Sequence, residues 1–145
     1  MKHATQIKER LWIGSHQAFE EIIESNPDKI TACLNVAMDY IPQLPLHPAN
    51  VKLCHISLGD GIDNPELQVN LAVLMAYKYY TAGENLLIHC ISGVSRSPHI
   101  AAKMLEIDGY LYGKHYDDFY AEIKRLRPQT RVPSFMDIRA HQVGV

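Results

Sequence analysis

The stretch from Asn85 to Pro98 places the strongest constraint on how this chain folds. It begins with a short apolar block at 86–88, typical of a central strand, and it ends at Pro98, which suits the first position of a helix. Between them lie a thiol, Cys90, and a guanidinium, Arg96. The backbone N–H groups of such a strand-to-helix turn and the dipole of the helix both favour a bound oxyanion. The same field favours thiolate over thiol at Cys90.

Composition excludes several function classes. The chain has 145 residues, of which 47% are hydrophobic, so we expect one domain spanning 1–145 around one core. The net charge of −2 predicts no nucleic-acid partner. No apolar run has the length of a bilayer span and the first residues lack the apolar core of a signal peptide, so no membrane association is expected.

The cysteines and histidines give no sign of a disulfide framework or a metal site. The three cysteines are an odd number without a Cys-x-x-Cys pair, and the eight histidines show no metal-ligand spacing. These features predict a reducing compartment, and hence a cytoplasmic location with entry into the nucleus left open. We expect no metal and no cofactor.

Strands alternate with helices along the chain, which predicts right-handed crossovers and an α/β fold. The expected architecture is a central, mostly parallel sheet of four to five strands with helices on both faces. Strands are predicted at 11–13 (a short edge strand), 30–36, 51–58 and 86–88. The segment 37–50 contains three prolines and is predicted to be a surface loop.

Helix signals fill the segments between the predicted strands. The expected helices are one that Ser15 caps and Asn26-Pro27 ends, one from Pro65 to Gly83, one from Pro98 to Gly109, one at 117–126 and a short last one that Ser134 caps. In the second helix one face is expected to be the packed one. Its residues are Leu67, Leu71, Leu74, Met75 and Lys78.

The pattern His-Cys-x-x-Gly-x-x-Arg-Ser at 89–97 resembles the signature of the cysteine-dependent protein phosphatases, and their dual-specificity branch is the most similar. Three outer segments also look like that branch: 11–15, 34–36, and Arg127-Pro128 through Phe135. The resemblance covers nearly the whole chain. It implies a small phosphatase catalytic domain that acts on phosphoproteins.

Each step of phosphate-ester hydrolysis has a candidate residue. Cys90 would attack as a thiolate and form a cysteinyl phosphate, while Arg96 would hold two phosphoryl oxygens with two parallel N–H donors. Ser97 would donate its hydroxyl to the sulfur or cap the following helix. His89 would orient the loop or merely fill the end of the strand. The phosphate-binding loop residues would be Ile91, Ser92, Gly93, Val94 and Ser95.

The general acid must come from outside the loop, which contains no carboxylate. Asp60 is the candidate, because it follows a predicted strand between two glycines and matches the Ile-x-x-x-Asp pattern that the resemblance implies. Asp63 is the competitor, and its other role would be to cap the helix that opens at Pro65. The same carboxylate would later activate water.

Three further residues have two interpretations each. Asn35, near the end of its strand, would brace the phosphate loop or favour a turn there. Cys33 and Cys54 lie on predicted strands as inert thiols, or one of them would form a protecting disulfide with oxidised Cys90.

Substrate class is predicted from the loop, which carries no basic residue between Cys90 and Arg96. This favours a phosphoprotein, with phosphotyrosine and phosphoserine or phosphothreonine both admissible, over a non-protein phosphate ester. A phosphoprotein-binding module without turnover is one alternative, and sulfur transfer or arsenate reduction is another. The oligomeric state and any docking partner are left open by the sequence.

Overall fold

The fold is built on a five-stranded sheet whose strand order is β1-β2-β5-β3-β4 in a computed structural model that describes residues 1–42, 47–60 and 64–131. The strands are β1 (Ala4–Lys8), β2 (Leu11–Gly14), β3 (Ala32–Ala37), β4 (Lys52–Leu58) and β5 (Leu86–His89). β1 pairs with β2 in the antiparallel direction, and the other pairs are parallel. The carboxyl ends of β2, β5, β3 and β4 therefore lie at one edge of the sheet, where α/β proteins bind ligands.

Helices cover both faces of this sheet, which confirms the predicted α/β class. They are α1 (His16–Glu24), α2 (Glu66–Thr81), α3 (Arg96–Gly109) and α4 (Tyr116–Leu126), with a 3-10 turn at Tyr110–Tyr112. α1 packs on one face, where Phe19 and Ile22 join a buried cluster with Trp12 and Leu87. α2, α3 and α4 contribute to the larger cluster on the other face.

Two strand predictions need correction. β2 is not an edge strand, because it lies between β1 and β5. β1 was not predicted as a strand at all: its alternation is weak and its residues are only partly buried or exposed. β1 reaches the sheet through its antiparallel pairing with β2, and it becomes the edge strand on that side.

The packed face of α2 was predicted wrongly. Leu67, Leu71 and Leu74 are 80%, 47% and 58% exposed. The helix instead packs through smaller residues, with Tyr80 at its end: Val69, Ala72, Val73, Ala76 and Tyr80. Because this helix is apolar on nearly every side, periodicity does not select a face. Small residues let the helix axis come closer to its neighbours, and that determines which side is buried.

Two helix starts also differ from expectation. Ser15 occupies the N-cap position of α1 as predicted, but its hydroxyl makes no capping hydrogen bond to the amides of α1, which the structure describes in full. α3 begins at Arg96 rather than Pro98, with Ser95 at the N-cap. Ser97 is therefore inside the helix and does not cap it.

The predicted last helix at Ser134 and the competitor Asp63 lie outside the described residues. Within the ranges that the structure describes, none of the helices combines the length and apolar character that a bilayer crossing requires.

Candidate active site

Cys90 and Arg96 lie at the two ends of a loop between β5 and α3, at the carboxyl edge of the sheet. Both are buried, with 2% of each residue exposed. The N–H of Gly93 donates to Cys90 Sγ at 3.2 Å, and Ser97 Oγ lies 3.4 Å from the same sulfur. The loop thus curls around the sulfur and brings a backbone N–H and a hydroxyl within hydrogen-bond distance of it.

The carbonyls of the loop face outward because other parts of the chain bind them. The bonds run from His16 N to Ile91 O at 3.0 Å, from Arg127 to Ser92 O at 3.5 Å and to Gly93 O at 2.8 Å, and from Arg131 N to Val94 O at 2.9 Å. In a trans peptide the N–H points opposite to the carbonyl before it. Outward carbonyls therefore turn the amides of 92–95 inward, which forms a concave nest for an anion.

Gly93 allows the loop to lie directly against the end of β2. Its φ is +70°, and a Cβ built on it would lie 2.6 Å from the carbonyl carbon and 2.7 Å from the carbonyl oxygen of Gly14. Both contacts are with backbone, which has no room to move aside. This close approach explains why a glycine stands at the third loop position.

Arg127 holds the loop from the far end of the described chain. Its Nε donates to Gly93 O at 2.8 Å and its Nη1 to Thr5 Oγ1 on β1 at 2.9 Å. Burial lowers the pKa of Arg127, and the charge of Cys90 opposes that shift. The sequence resemblance includes Arg127 in an outer segment but implies no role for it at the site. The contacts show it bracing the anion loop.

His89 ends β5 immediately before Cys90 and is buried, with 1% exposed. Its ring stacks on Phe19 at a centroid distance of 5.3 Å and meets Tyr40 edge-on at 5.9 Å. Burial lowers the pKa of His89 to about 4, so the ring is neutral at physiological pH. Nδ1 lies 3.5 Å from the Cys90 carbonyl oxygen. These contacts fit a residue that packs the base of the loop.

Arg96 has a carboxylate partner that sequence reasoning missed. Its Nη1 donates to Asp39 Oδ1 at 2.7 Å and to the Leu58 carbonyl at 2.8 Å. The hydrogen bond from Arg96 lowers the pKa of Asp39, and burial of the carboxyl opposes that shift. Asp39 and Arg96 are 57 residues apart, and nothing in the local pattern around Asp39 points to the pairing.

Asn35 takes the turn-forming role rather than the loop-bracing one. Its Oδ1 accepts from the Ala37 N–H and its Nδ2 donates to the Tyr40 carbonyl, both at 2.9 Å. These bonds shape the turn that carries Asp39. The contacts of Asn35 with the site are therefore indirect, through the turn that carries the partner of Arg96.

Asp60 lies just beyond the end of β4 and its side chain is exposed. The stem of its loop is fixed by Asn64, whose amide accepts from the Gly59 N–H and donates to the Gly59 carbonyl, both at 2.9 Å. β4 ends at the same edge of the sheet as the Cys90 loop. The topology thus brings Asp60 to the side of the site that carries Asp39.

Neither Cys33 nor Cys54 is placed for a disulfide with Cys90. Cys33 belongs to the buried cluster under α1, whereas Cys90 belongs to the cluster on the opposite face. Cys54 aligns with Ile88 across β3, so two strand spacings of about 4.8 Å separate it from β5, more than a disulfide spans. Burial also raises the pKa of both thiols, as expected of inert cysteines.

Metal-ligating side chains do not gather anywhere in 1–42, 47–60 or 64–131: no three His, Cys, Asp or Glu side chains in these ranges could hold an ion together. The described site offers a sulfur, a guanidinium and backbone amides. This set suits a tetrahedral oxyanion.

Solved structures with the same fold were found, although the sequence comparisons gave no match. No family model and no curated protein matches the sequence. Among solved structures, human DUSP28 is 18% identical with a TM-score of 0.77, covering 97% of this chain and 90% of that one. Tk-PTP in its active form is 19% identical with a TM-score of 0.72, covering 97% and 95%. A human tyrosine phosphatase-like serine/threonine/tyrosine-interacting protein is 14% identical with a TM-score of 0.75, covering 99% and 96%. The chain has the fold of small dual-specificity and tyrosine phosphatases, so the resemblance found in the sequence is confirmed at the level of fold.

Proposed function

We propose that this chain is a cysteine-dependent protein phosphatase that hydrolyses phosphotyrosine, and phosphoserine or phosphothreonine as well, through a cysteinyl-phosphate intermediate. The observation that carries the proposal is the loop itself, which wraps the Cys90 sulfur, turns the amides of 92–95 inward and ends at the buried Arg96. A nucleophile at the centre of an anion nest is what attack on a phosphoryl group requires.

In the first step the Cys90 thiolate attacks phosphorus. A P–S bond forms, the ester P–O bond breaks, and the leaving oxygen takes a proton from the general acid. The loop amides and Arg96 hold the equatorial oxygens and the charge spread over them. The loop is already in shape before substrate arrives, because its carbonyls are held by His16, Arg127 and Arg131.

In the second step water attacks the phosphorus of the cysteinyl phosphate. The carboxylate that gave up its proton takes one from this water, the P–S bond breaks, and inorganic phosphate leaves. Ser97 Oγ, 3.4 Å from Sγ, donates to the departing thiolate and stabilises it.

Asp60 is the proposed acid and base. It belongs to the loop that follows β4, and Asn64 fixes the stem of that loop. Asp39 is a poor alternative, because the hydrogen bond from Arg96 lowers its pKa and keeps the carboxyl ionised. An acid must be protonated when the leaving group departs.

The testing experiment is the pH–rate profile for an aryl phosphate. Wild type is compared with Cys90→Ser, Asp60→Ala and Asp63→Ala, with Asp117→Ala on the exposed first turn of α4 as a charge-matched control. We expect Cys90→Ser to abolish turnover, Asp60→Ala to remove the basic limb, and the control to match wild type.

Three results would change the proposal. Loss of the basic limb in Asp63→Ala would move the acid to that residue. Normal turnover in Cys90→Ser would remove the cysteine mechanism. No hydrolysis by wild type at any pH, with inorganic phosphate still binding at the loop, would leave a phosphoprotein-binding module in place of an enzyme.

A further inference from the structure

The ion pair between Arg96 and Asp39 joins a buried cation to an exposed anion. The Arg96 side chain is 3% exposed and the Asp39 side chain 58% exposed, with 2.7 Å between Nη1 and Oδ1. The guanidinium belongs to the loop around Cys90, and the carboxylate belongs to the turn after β3. Asp39 is thus a fixed negative charge at the mouth of the site.

The backbone around Asp39 keeps the carboxylate in this position. Asn35 binds both ends of the turn, at Ala37 N and Tyr40 O, and the N–H of Met38 donates to Leu58 O at 3.0 Å. The same Leu58 carbonyl accepts from Arg96 Nη1 at 2.8 Å. The turn, the end of β4 and Arg96 are therefore tied to one another.

The two bonds from Arg96 use both hydrogens of Nη1. This leaves the edge formed by Nε and Nη2, which donates to no acceptor among the described residues and matches two oxygens of a phosphoryl group. A phosphoryl dianion bound on that edge does not have to displace Asp39. Asp39 then remains beside the dianion and repels it, together with any further negative charge that the substrate carries nearby.

We propose that Asp39 is a specificity-determining residue, which selects phosphate esters with a cationic group next to the phosphoryl group and rejects those with an anionic one. The inference rests on the proposed function. In a phosphoprotein, the preferred substrate has a lysine or arginine beside the phosphorylated residue, because that cation restores the charge balance that the phosphoryl group upsets at Asp39.

Neither Glu20 nor Arg131 cancels this effect. Burial and the charge of Glu20 raise the pKa of Tyr40, the neighbour of Asp39, and as a carboxylate Glu20 has the same sign of charge as Asp39. Glu20 lies 3.4 Å from His16 Nδ1. Arg131 is exposed and its backbone binds Val94, within the loop, whereas Asp39 binds Arg96 at the end of the loop. Because these charges are separated in space, the preference should depend on which flank of the substrate is changed.

The kinetic test uses phosphotyrosyl peptides that differ at one flanking position, before or after the phosphotyrosine, as Lys, Ala or Glu. For wild type we expect kcat/KM to fall from Lys to Ala to Glu at one flank, with a total range of about tenfold. Asp39→Asn should reduce that range below about threefold, mainly by raising activity on the Glu peptide. Asp117→Asn, which removes the same charge from the exposed start of α4, should keep the wild-type range.

A binding test separates this inference from the proposed function. In the Cys90→Ser background, inorganic phosphate is titrated calorimetrically against proteins with and without Asp39→Asn. Removing the carboxylate should tighten binding about five- to tenfold. This result does not depend on turnover, so it would support the inference even if wild type hydrolysed no peptide and the proposed function failed.

Three outcomes would overturn the inference. The first is equal phosphate affinity in the two proteins, and the second is a flank preference that Asp39→Asn leaves intact. The third is a fall in kcat for Asp39→Asn on the Ala peptide at unchanged KM. That result would make Asp39 a positioning residue for Arg96 rather than a determinant of specificity.

Discussion

The two sides of the candidate site are built differently. The loop from Cys90 to Arg96 is held by His16, Arg127 and Arg131, and Gly93 lies against β2. The carboxylates lie on turns after β3 and β4, where Asp39 and Asp60 are exposed. In the proposed mechanism, anion binding is thus preorganised, whereas proton transfer and substrate selection would depend on groups in contact with water. Changes on the loop side should weaken oxyanion binding, and changes on the carboxylate side should leave it intact or strengthen it.

The largest effect is expected for Arg96→Lys. An ammonium cannot bind two phosphoryl oxygens and also keep the bonds to Asp39 and Leu58. We expect kcat/KM for an aryl phosphate to fall about 10³-fold, about 4 kcal/mol of transition-state stabilisation. Arg125→Lys, on the exposed side of α4, is the control and should change little. Activity within tenfold of wild type in Arg96→Lys would mean that the loop side does not depend on a bidentate clamp.

The next largest effect is expected on the free energy of unfolding, when alanine replaces either of two glycines with similar backbone angles. Gly93 and Gly83 have φ of +70° and +86°, but a Cβ at Gly93 would meet the Gly14 backbone at 2.6 Å and one at Gly83 would meet nothing within 4 Å. Gly83→Ala should therefore cost about 1–2 kcal/mol of unfolding free energy from the angle alone. Gly93→Ala should cost about 3 kcal/mol or more, because overpacking is added. Urea unfolding of both variants measures the difference, and equal costs would show that the loop is not tightly held.

How much of the fold and of the candidate site could be predicted depends on how far apart the contacting residues lie in the sequence. Strand, thiol, glycine and guanidinium follow one another at 86–96, so the strand, the turn into α3 and the mostly parallel sheet around them were predicted correctly. The partners of that loop come from elsewhere: Arg127 is 34 residues from Gly93, and Asp39 is 57 from Arg96. A single sequence carries no signal for such pairings.

Wrong predictions about residues close together in the sequence have a different cause, which is that the local residue pattern is ambiguous. α2 is apolar on nearly all sides, so the exposed Leu67 looked like a core residue and the smaller Val69 did not. Asn64 stands directly before the predicted start of a helix, where its residue type suggests a cap. Its bonds to both polar groups of Gly59 follow from the path of the loop, which the sequence does not specify.

A pH effect on stability is expected from His89, on the loop side. Burial lowers its pKa to about 4 in the folded state, against about 6.5 in the unfolded chain, so only the unfolded state binds a proton between these values. The contribution of His89 is therefore fully present above pH 6.5 and is lost as the pH falls towards 4, by up to about 3 kcal/mol. The free energy of unfolding of wild type and His89→Gln, compared at pH 7.5, 5.5 and 4.5, should show a shallower dependence in the variant. Parallel curves would mean that His89 binds its proton equally well in the folded and unfolded states.

The smallest effect is expected for Asn64→Ala, on the carboxylate side, and the chain offers a close control. Asn64 bridges the N–H and carbonyl of Gly59, and Asn26 bridges those of Ile30 with the same 2.9 Å distances. Each alanine variant loses this pair of backbone bonds, a loss that should cost about 1–3 kcal/mol of stability. Asn64→Ala alone loosens the stem of the Asp60 loop, and its kcat should fall about tenfold through misplacement of the acid.

Inorganic phosphate should bind equally well to Cys90→Ser proteins that carry either alanine substitution, because the bonds to Gly59 and Ile30 that are lost lie outside the Cys90 loop. A loss of phosphate affinity with Asn64→Ala would show that the two sides of the site are mechanically coupled through β4. Equal kcat values for Asn64→Ala and Asn26→Ala would instead show that the bonds between Asn64 and Gly59 do not help to place the acid. In that case the position of Asp60 would be determined by contacts other than the bridge across its loop.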